Sequence, residues 1–208
     1  MLTDSTYSKE IQRVNALKSY SILDTQPEKD FDDIAELASQ ICQVPISAIT
    51  LMDKDRQWFK SKVGFETNEI LREEAFCNHL MNTEATKIEV QNMHKDNNFN
   101  TNPYVAGEPK IAFYAGVLLI DPDGYTLGSL CVYDLEPKKL TDFQLNALEK
   151  LANQVIQLLE LRKKNAQLEE NNASLMSKYN ELEQFARVVS HDIKSPLNNI
   201  ISLTNLFQ

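Results

Sequence analysis

Apolar residues recur with helical spacing in two segments near the N-terminus. Residues 10–20 place apolar side chains three to four residues apart, and residues 27–43 do so over about four turns. The second segment opens with Pro27 and acidic residues, which are typical of a helix N-terminus. The spacing predicts two amphipathic helices, the second of which ends before Pro45.

The chain then changes to short apolar and alternating runs. Residues 46–52 are rich in β-branched and apolar residues, which predicts a central strand, and the alternation in residues 56–63 predicts its neighbour. Residues 66–110 are expected to be mostly irregular with short helices, one of them near residues 77–82.

A third pair of segments predicts a hairpin. Residues 111–120 are strongly apolar, and residues 125–133 return after Asp121-Pro-Asp-Gly124, which is a tight-turn sequence. Thr141 and Asp142 then begin a helix. The order of helices, strands, hairpin and helix predicts an α+β fold with an antiparallel sheet flanked by helices.

The last helix carries two different apolar stripes. The first stripe is expected to pack on the sheet and consists of Leu148, Leu151, Val155, Leu158 and Leu159. The second repeats every seven residues, at Leu161, Leu168, Leu175, Leu182 and Val189. Taken as d positions, these residues put Asn165 and Asn172 at consecutive a positions, which favours a parallel two-stranded coiled coil. A single solvent-exposed helix is the alternative, but it leaves the leucine spacing unexplained. We therefore expect a homodimer held mainly by residues 161–207.

Composition narrows the class of protein. The chain has 208 residues, 42% hydrophobic and 25% charged, and a net charge of −9. This charge argues against non-specific binding to nucleic acid or anionic lipid. No apolar run approaches the roughly 20 residues that span a bilayer. The cysteines are odd in number and widely spread (Cys42, Cys77, Cys131), which favours reduced thiols and a cytoplasmic location.

His191 is the main candidate for chemistry. It falls at an f position of the heptad, whereas a histidine kept for packing would be expected at a or d. Asp192 can accept a hydrogen bond from one ring nitrogen and leave the other nucleophilic toward a phosphoryl group. Lys194 and Ser195 can approach phosphate oxygens, and Pro196 weakens the helix because it has no N–H. The alternative is a solvated surface histidine, which the neighbours at these offsets disfavour.

A second set of candidates lies in the first two thirds of the chain. Cys77 and His79, with His94 and Cys131 elsewhere, are residue types that hold metal or haem, or in the case of Cys77 a bilin thioether. Their spacing is not a zinc pattern, so buried thiols and a hydrogen-bonded histidine are favoured and no metal is expected. Four aromatic residues either line a pocket or pack in the core: Trp58, Phe59, Phe113 and Tyr114.

Residues 16–160 resemble a GAF domain. The motifs that carry the resemblance follow the expected order: Leu23-Asp-Thr-Gln-Pro-Glu28, Phe31-Asp-Asp-Ile-Ala35, Val44-Pro-Ile-Ser47, Asp55-Arg-Gln-Trp-Phe-Lys-Ser61, Ala75-Phe-Cys-Asn-His79, Phe113-Tyr-Ala-Gly116 and Leu127-Gly-Ser-Leu-Cys-Val132. The resemblance implies a sensor fold whose members bind cyclic nucleotides, bilins, haem or iron, or no small ligand. Members of this subgroup commonly have arginine at the position of Ala112. If that arginine contacts an anionic ligand, the contact is expected to be lost in this chain.

Residues 185–201 resemble the phospho-acceptor box of sensor histidine kinases. His191 then corresponds to the phospho-acceptor, and Ser195 stands where threonine or asparagine is usual. The resemblance implies a sensor domain (residues 1–160), a coiled-coil linker (161–184) and the first helix of a dimerisation and phospho-acceptor domain (185–208).

The same resemblance implies further parts and partners. Autophosphorylation from ATP and transfer to a response-regulator aspartate are expected of the parent kinase. The chain is predicted to be a fragment that is inactive alone, because it lacks a glycine-rich nucleotide-binding region and a second bundle helix. The alternative function is a dimeric GAF ligand-binding module with a non-kinase output.

Overall fold

The protein folds as an antiparallel sheet with helices on one face and short helices and loops on the other. The computed structural model describes residues 4–83 and 85–205, and the side chains of residues 8–83, 85–190, 194 and 196. Its helices are α1 (Asp4–Ser19), α2 (Lys29–Cys42), α3 (Phe76–Met81), α4 (Pro103–Ala106) and α5 (Asp142–Asn205). Its strands are β1 (Ile46–Met52), β2 (Arg56–Val63), β3 (Glu69–Leu71), β4 (Lys87–Val90), β5 (Phe113–Ile120) and β6 (Thr126–Asp134).

Within the described residues the strands form one six-stranded sheet in the order β3-β2-β1-β6-β5-β4, with every neighbouring pair antiparallel. β1 is central and buried along its whole length. The β5–β6 hairpin is closed by Asp121, whose Oδ1 accepts hydrogen bonds from the backbone N–H groups of Asp123 (3.1 Å) and Tyr125 (2.7 Å). The predicted α+β fold is therefore confirmed.

Two hydrophobic cores lie on opposite faces of the sheet, because successive strand residues point to opposite sides. The helix-side core joins the sheet to α1, α2 and the start of α5, and includes Leu17, Phe31, Ile49, Trp58, Phe113, Leu130, Leu148 and Val155. The loop-side core lies under α3, α4 and their connections, and includes Met52, Phe59, Phe76, Cys77, Met93, Phe99, Tyr114, Cys131 and Tyr133.

The start of α5 packs as its first apolar stripe predicts. Leu148, Val155 and Leu159 are fully or almost fully buried in the helix-side core. Thr141 caps the helix: its Oγ1 accepts the N–H of Gln144 at 3.3 Å, and the Gln144 side chain accepts the N–H of Thr141 at 2.9 Å. This reciprocal pair is a capping box.

The chain divides into two compact units between Lys163 and Lys164. The first contains the sheet and its helices, and the second is helical. In the second unit, α5 continues through Pro196 to Asn205, so the proline does not end the helix. No helix of residues 4–83 and 85–205 is long and apolar enough to cross a membrane.

Several sequence-based boundaries were wrong. Residues 66–110, which were expected to be mostly irregular with short helices, also contain the edge strands β3 and β4. α2 begins at Lys29 rather than Pro27, and Glu28 is its extended N-cap. β5 begins at Phe113 rather than Ile111, because the N–H of Ile111 bonds the carbonyl of Tyr104 at 2.8 Å instead of a strand.

Candidate functional site

The predicted ligand-contacting residues do not meet in one pocket. Trp58 and Phe113 lie in the helix-side core, whereas Cys77 and Tyr114 lie in the loop-side core. His79 is exposed on α3, and its ring packs edge-on against Phe99 at 5.2 Å between centroids. These residues therefore stabilise different parts of the fold.

The loop-side core contains a buried polar group that we call the thiol cluster: Thr50, Gln57, Cys77, Ser129 and Cys131. The thiol of Cys77 donates to Oε1 of Gln57 at 3.2 Å. The hydroxyl of Ser129 lies 3.0 Å from the sulfur of Cys131 and 2.9 Å from the hydroxyl of Thr50. Each sulfur thus has a neutral hydrogen-bonding partner, as buried polar groups require.

Burial keeps these thiols protonated. It raises the pKa of Cys77 from 9.0 to about 12 and also raises the pKa of Cys131. Because a thiolate is the metal ligand and nucleophile, neutral buried thiols are poorly suited to either role. Both cysteines are free and buried, as the sequence predicted.

His79 and His94 are not part of the thiol cluster. His94 is exposed in the short 3-10 helix Met93–Lys95, and His79 faces solvent as described above. Among the residues that the structure describes, no group of three histidine, cysteine or acidic side chains is positioned to hold a metal ion. A hydrogen-bonded histidine was also expected, but among the described residues the side chain of His79 makes a ring contact with Phe99 and no hydrogen bond.

Aromatic side chains fill the rest of the loop-side core. Tyr114 and Tyr133 stack at 5.3 Å, and Phe76 lies 5.5 Å from Tyr114 and 6.0 Å from Tyr133. The cavity that remains beside them measures about 10 Å³, which is the space of one water molecule. Ala112, at the position of the family's arginine, is buried and 1% exposed.

A much larger cavity lies elsewhere, between the α1–α2 connection and the β2–β3 edge of the sheet. Its volume is about 790 Å³, within the range of ligand sites. We call it the β2 cleft, and it is lined by Asp24, Thr25, Gln26, Pro27, Asp32, Trp58, Phe59, Lys60, Ser61, Lys62, Asn68 and Glu69. Apart from Trp58 and Phe59, the sequence did not single out these residues as a site.

The cleft is built by contacts between two of the sequence motifs. Lys60, whose side chain is fully buried, donates to Oγ1 of Thr25 (2.9 Å), the carbonyl of Gln26 (2.9 Å) and Oε1 of Glu28 (2.7 Å). Its ammonium also lies 5.1 Å from the centre of the Phe31 ring, which is a cation–π contact. The buried ammonium is thereby stabilised by three hydrogen bonds, one of them to a carboxylate, and by the aromatic ring.

A second cation closes the rim of the cleft. Arg56 donates to Asp24 at 2.6 Å and also pairs with Glu69 on β3. The hydrogen bond from Arg56 lowers the pKa of Asp24. These contacts tie the connection between α1 and α2 to the edge of the sheet.

The predicted phospho-acceptor lies in the second unit. The backbone of α5 includes His191 and its neighbours, but the side chains of His191, Asp192 and Ser195 lie outside the described residues. Lys194 and Pro196 are exposed. The roles of these five residues stay predictions.

The heptad leucines of α5 that lie between the sensor domain and His191 are also exposed. Leu168, Leu175 and Leu182 keep 59%, 63% and 63% of their surface in the single chain. The apolar stripe is therefore present on the helix without a covering partner within this chain's described residues.

Comparison with known proteins assigns the fold to a family. Residues 26–159, well over half of the chain, match the model of the GAF domain. The chain therefore belongs to the GAF domain family and carries a GAF sensory domain.

One characterised relative is a cyclic di-GMP phosphodiesterase of Pseudomonas aeruginosa. It is 36% identical over 136 residues, which are 65% of this chain and 23% of that protein. The chain thus spans about a quarter of the length of the curated relative that it matches.

Solved structures show the same fold at low sequence identity. The GAF domain of a phosphoenolpyruvate-protein phosphotransferase from Coxiella burnetii has a TM-score of 0.56 at 12% identity, covering 76% of this chain and 98% of that one. The corresponding domain from Acinetobacter has a TM-score of 0.54 at 16% identity, covering 76% of this chain and 95% of that one. A free methionine-R-sulfoxide reductase from Thermoplasma acidophilum has a TM-score of 0.52 at 11% identity, covering 69% of this chain and 94% of that one. Proteins of such different activity share the fold alone.

Proposed function

We propose that the chain is the sensory and phospho-acceptor part of a two-component histidine kinase. The GAF domain receives the signal, and α5 passes it through a parallel dimeric coiled coil to His191. The observation that carries this proposal is α5 itself, since one helix contains both the residues buried in the sensor core and His191.

The residues around His191 support phosphoryl transfer. Asp192 holds the imidazole in one tautomer, and the free ring nitrogen attacks the γ-phosphoryl group of ATP. Lys194 and Ser195 approach the phosphate oxygens, and Pro196 weakens the helix one turn further on. The phosphoryl group then passes to an aspartate of a cytoplasmic response regulator. ATP would be bound by a separate nucleotide-binding domain.

The test is acid-labile phosphorylation of the chain when a histidine-kinase ATP-binding domain is supplied in cis or in trans. His191→Gln should abolish the phosphate, whereas the matched variant His79→Gln, which changes an exposed histidine of the sensor domain, should retain it. Asp192→Asn should slow transfer by about 10²–10⁴-fold, the usual cost of losing an acid–base partner.

A second candidate function is a dimeric GAF ligand-binding module with a non-kinase output. It is favoured by the phosphodiesterase relative, whose similarity covers 136 residues and 65% of this chain. Retention of acid-labile phosphate in the His191→Gln variant would remove the kinase proposal and leave this one.

A further inference from the structure

One carboxylate oxygen connects the β2 cleft to the output helix. Oε1 of Glu28 accepts a hydrogen bond from Nζ of Lys60 at 2.7 Å and another from Nη1 of Arg162 at 2.7 Å. Lys60 forms part of the cleft wall, and Arg162 belongs to the last turn of α5 before the first compact unit ends at Lys163.

The two halves of this contact differ in strength. The side chain of Lys60 is 0% exposed, whereas those of Glu28 and Arg162 are 35% and 34% exposed. A buried ammonium that loses its carboxylate partner is strongly destabilised, so Glu28 must stay with Lys60. The contact to Arg162 is more accessible to water, and it is the half that can be exchanged for solvent.

Further contacts hold the same turn of α5. The hydroxyl of Tyr20 donates to Glu160 at 2.5 Å, and Nζ of Lys163 lies 4.6 Å from the centre of the Tyr20 ring. Tyr20 itself is buried, with 3% of its surface exposed. The turn 160–163 is thus held through polar contacts by residues 20–28, and residues 24–27 of this segment also line the cleft.

We infer that Glu28 is a coupling residue, by which a change in the wall of the β2 cleft alters the hold on the last sensor turn of α5. This inference rests on the proposed function only in treating α5 as the output helix. A ligand that displaces residues 24–27 also shifts Lys60, which bonds Thr25 and Gln26, and Glu28 stays paired with it. The more exposed bond from Arg162 to Glu28 then breaks first.

Hydrogen exchange of the full chain, read by mass spectrometry, tests the coupling without a ligand. Lys60→Met should raise exchange in residues 160–163 about tenfold, although the described hydrogen bonds of Lys60 reach only residues 25–28. Arg162→Met should raise exchange in residues 58–62 around Lys60, although the described hydrogen bond of Arg162 reaches only Glu28. The control is Asp33→Asn, which breaks the exposed pair with Lys29 on α2 and should change neither segment.

The inference fails if each variant alters only the segment that carries its own contact partner. Should Lys60→Met not fold, as circular dichroism would show, Arg162→Met decides alone, because its partly exposed side chain can be replaced without opening the core. The readout is independent of phosphorylation. Coupled exchange together with phosphate on His191→Gln would keep the coupling and remove the kinase proposal. Uncoupled exchange together with loss of phosphate in His191→Gln would remove the coupling and keep the kinase proposal.

Discussion

At the scale of single residues, Glu10 links three parts of the sensor domain. Its carboxylate pairs with Arg13 at 2.7 Å and with Arg72 at 2.5 Å. Arg13 is buried and also donates to the carbonyls of Met52 (2.7 Å) and Thr126 (3.2 Å). Partial burial alone would raise the pKa of Glu10, but the hydrogen bonds and charges of the two arginines outweigh it and lower the pKa from 4.5 to about 2.

The free energy of unfolding of the sensor domain should therefore decrease as the pH falls from about 4.5 to about 2. A carboxylate whose folded pKa is depressed stabilises the fold above its unfolded value and loses that contribution as the pH falls from about 4.5 to about 2. We expect about 1–2 kcal/mol for Glu10, after discounting for solvent screening of a side chain that is a third exposed. Urea unfolding at pH 6 and pH 3 should show this loss in the parent and a smaller one in Glu10→Gln. Glu73→Gln, an exposed control, should behave as the parent does, and equal losses in all three would contradict the assignment.

The thiols should resist modification in the folded protein. Burial raises the pKa of Cys77 to about 12 and the pKa of Cys42 to about 11. At pH 8 only a small fraction of either thiol is therefore in the thiolate form. Burial adds a second barrier to reaction, because the reagent must reach the sulfur. Ellman's reagent at pH 8 should react slowly with the native chain and rapidly with three thiols in guanidinium chloride. Rapid reaction of one native thiol would show that it is accessible.

At the scale of elements, Gly128 sets the close approach of β6 to β1. A Cβ at this position would lie 1.9 Å from the backbone carbonyl oxygen of Thr50, and a backbone atom cannot yield as a flexible side chain does. Gly128→Ala should therefore separate the two central strands and destabilise the domain by about 3 kcal/mol or more.

The matched control is Gly124→Ala in the β5–β6 turn. Its Cβ would meet nothing within 4 Å, but its φ of +86° is unfavourable for alanine. A cost of about 1 kcal/mol is expected from that strain. Thermal unfolding of both variants measures the difference, and a smaller loss for Gly128→Ala than for Gly124→Ala would show that the strands adjust.

The sequence predicted buried strands more accurately than exposed ones. β1 was predicted with its observed bounds because it is buried on both faces, which produces a continuous apolar run. β3 and β4 were missed because they are edge strands of three and four residues, of which only Val90 is buried. So short a strand has no alternation to detect, and its pairing depends on partners distant in sequence.

The candidate site was predicted less well, for two physical reasons. Phe113 and Tyr114 are adjacent on β5, so they face opposite sides of the sheet and lie in different cores. Strand alternation would have revealed this from the sequence. The β2 cleft, by contrast, depends on Lys60 reaching residues 25–28 across the fold, and no local pattern indicates such a contact.

At the scale of the whole molecule, the exposed stripe of α5 is the feature that most needs a partner. Its large apolar residues keep between 37% and 66% of their surface, from Leu161 to Val189. The net charge of −9 adds repulsion between copies, which contiguous leucine burial must overcome. Asn165 and Asn172 at a positions are consistent with a second copy of this chain in parallel register, since facing asparagines can satisfy each other there.

The proposed dimer should accordingly depend on the d positions. Leu168→Asp combined with Leu175→Asp places four carboxylates in the seam of a dimer and removes the burial of four leucines, each worth about 1.5–3 kcal/mol. Light scattering should then show a monomer at concentrations where the parent is a dimer. Ser174→Asp, at a c position outside the seam, should leave the mass unchanged, which separates the effect of position from that of charge. If the double variant still has a dimer mass, surfaces of the GAF domain hold the pair and α5 is not the dimerising element.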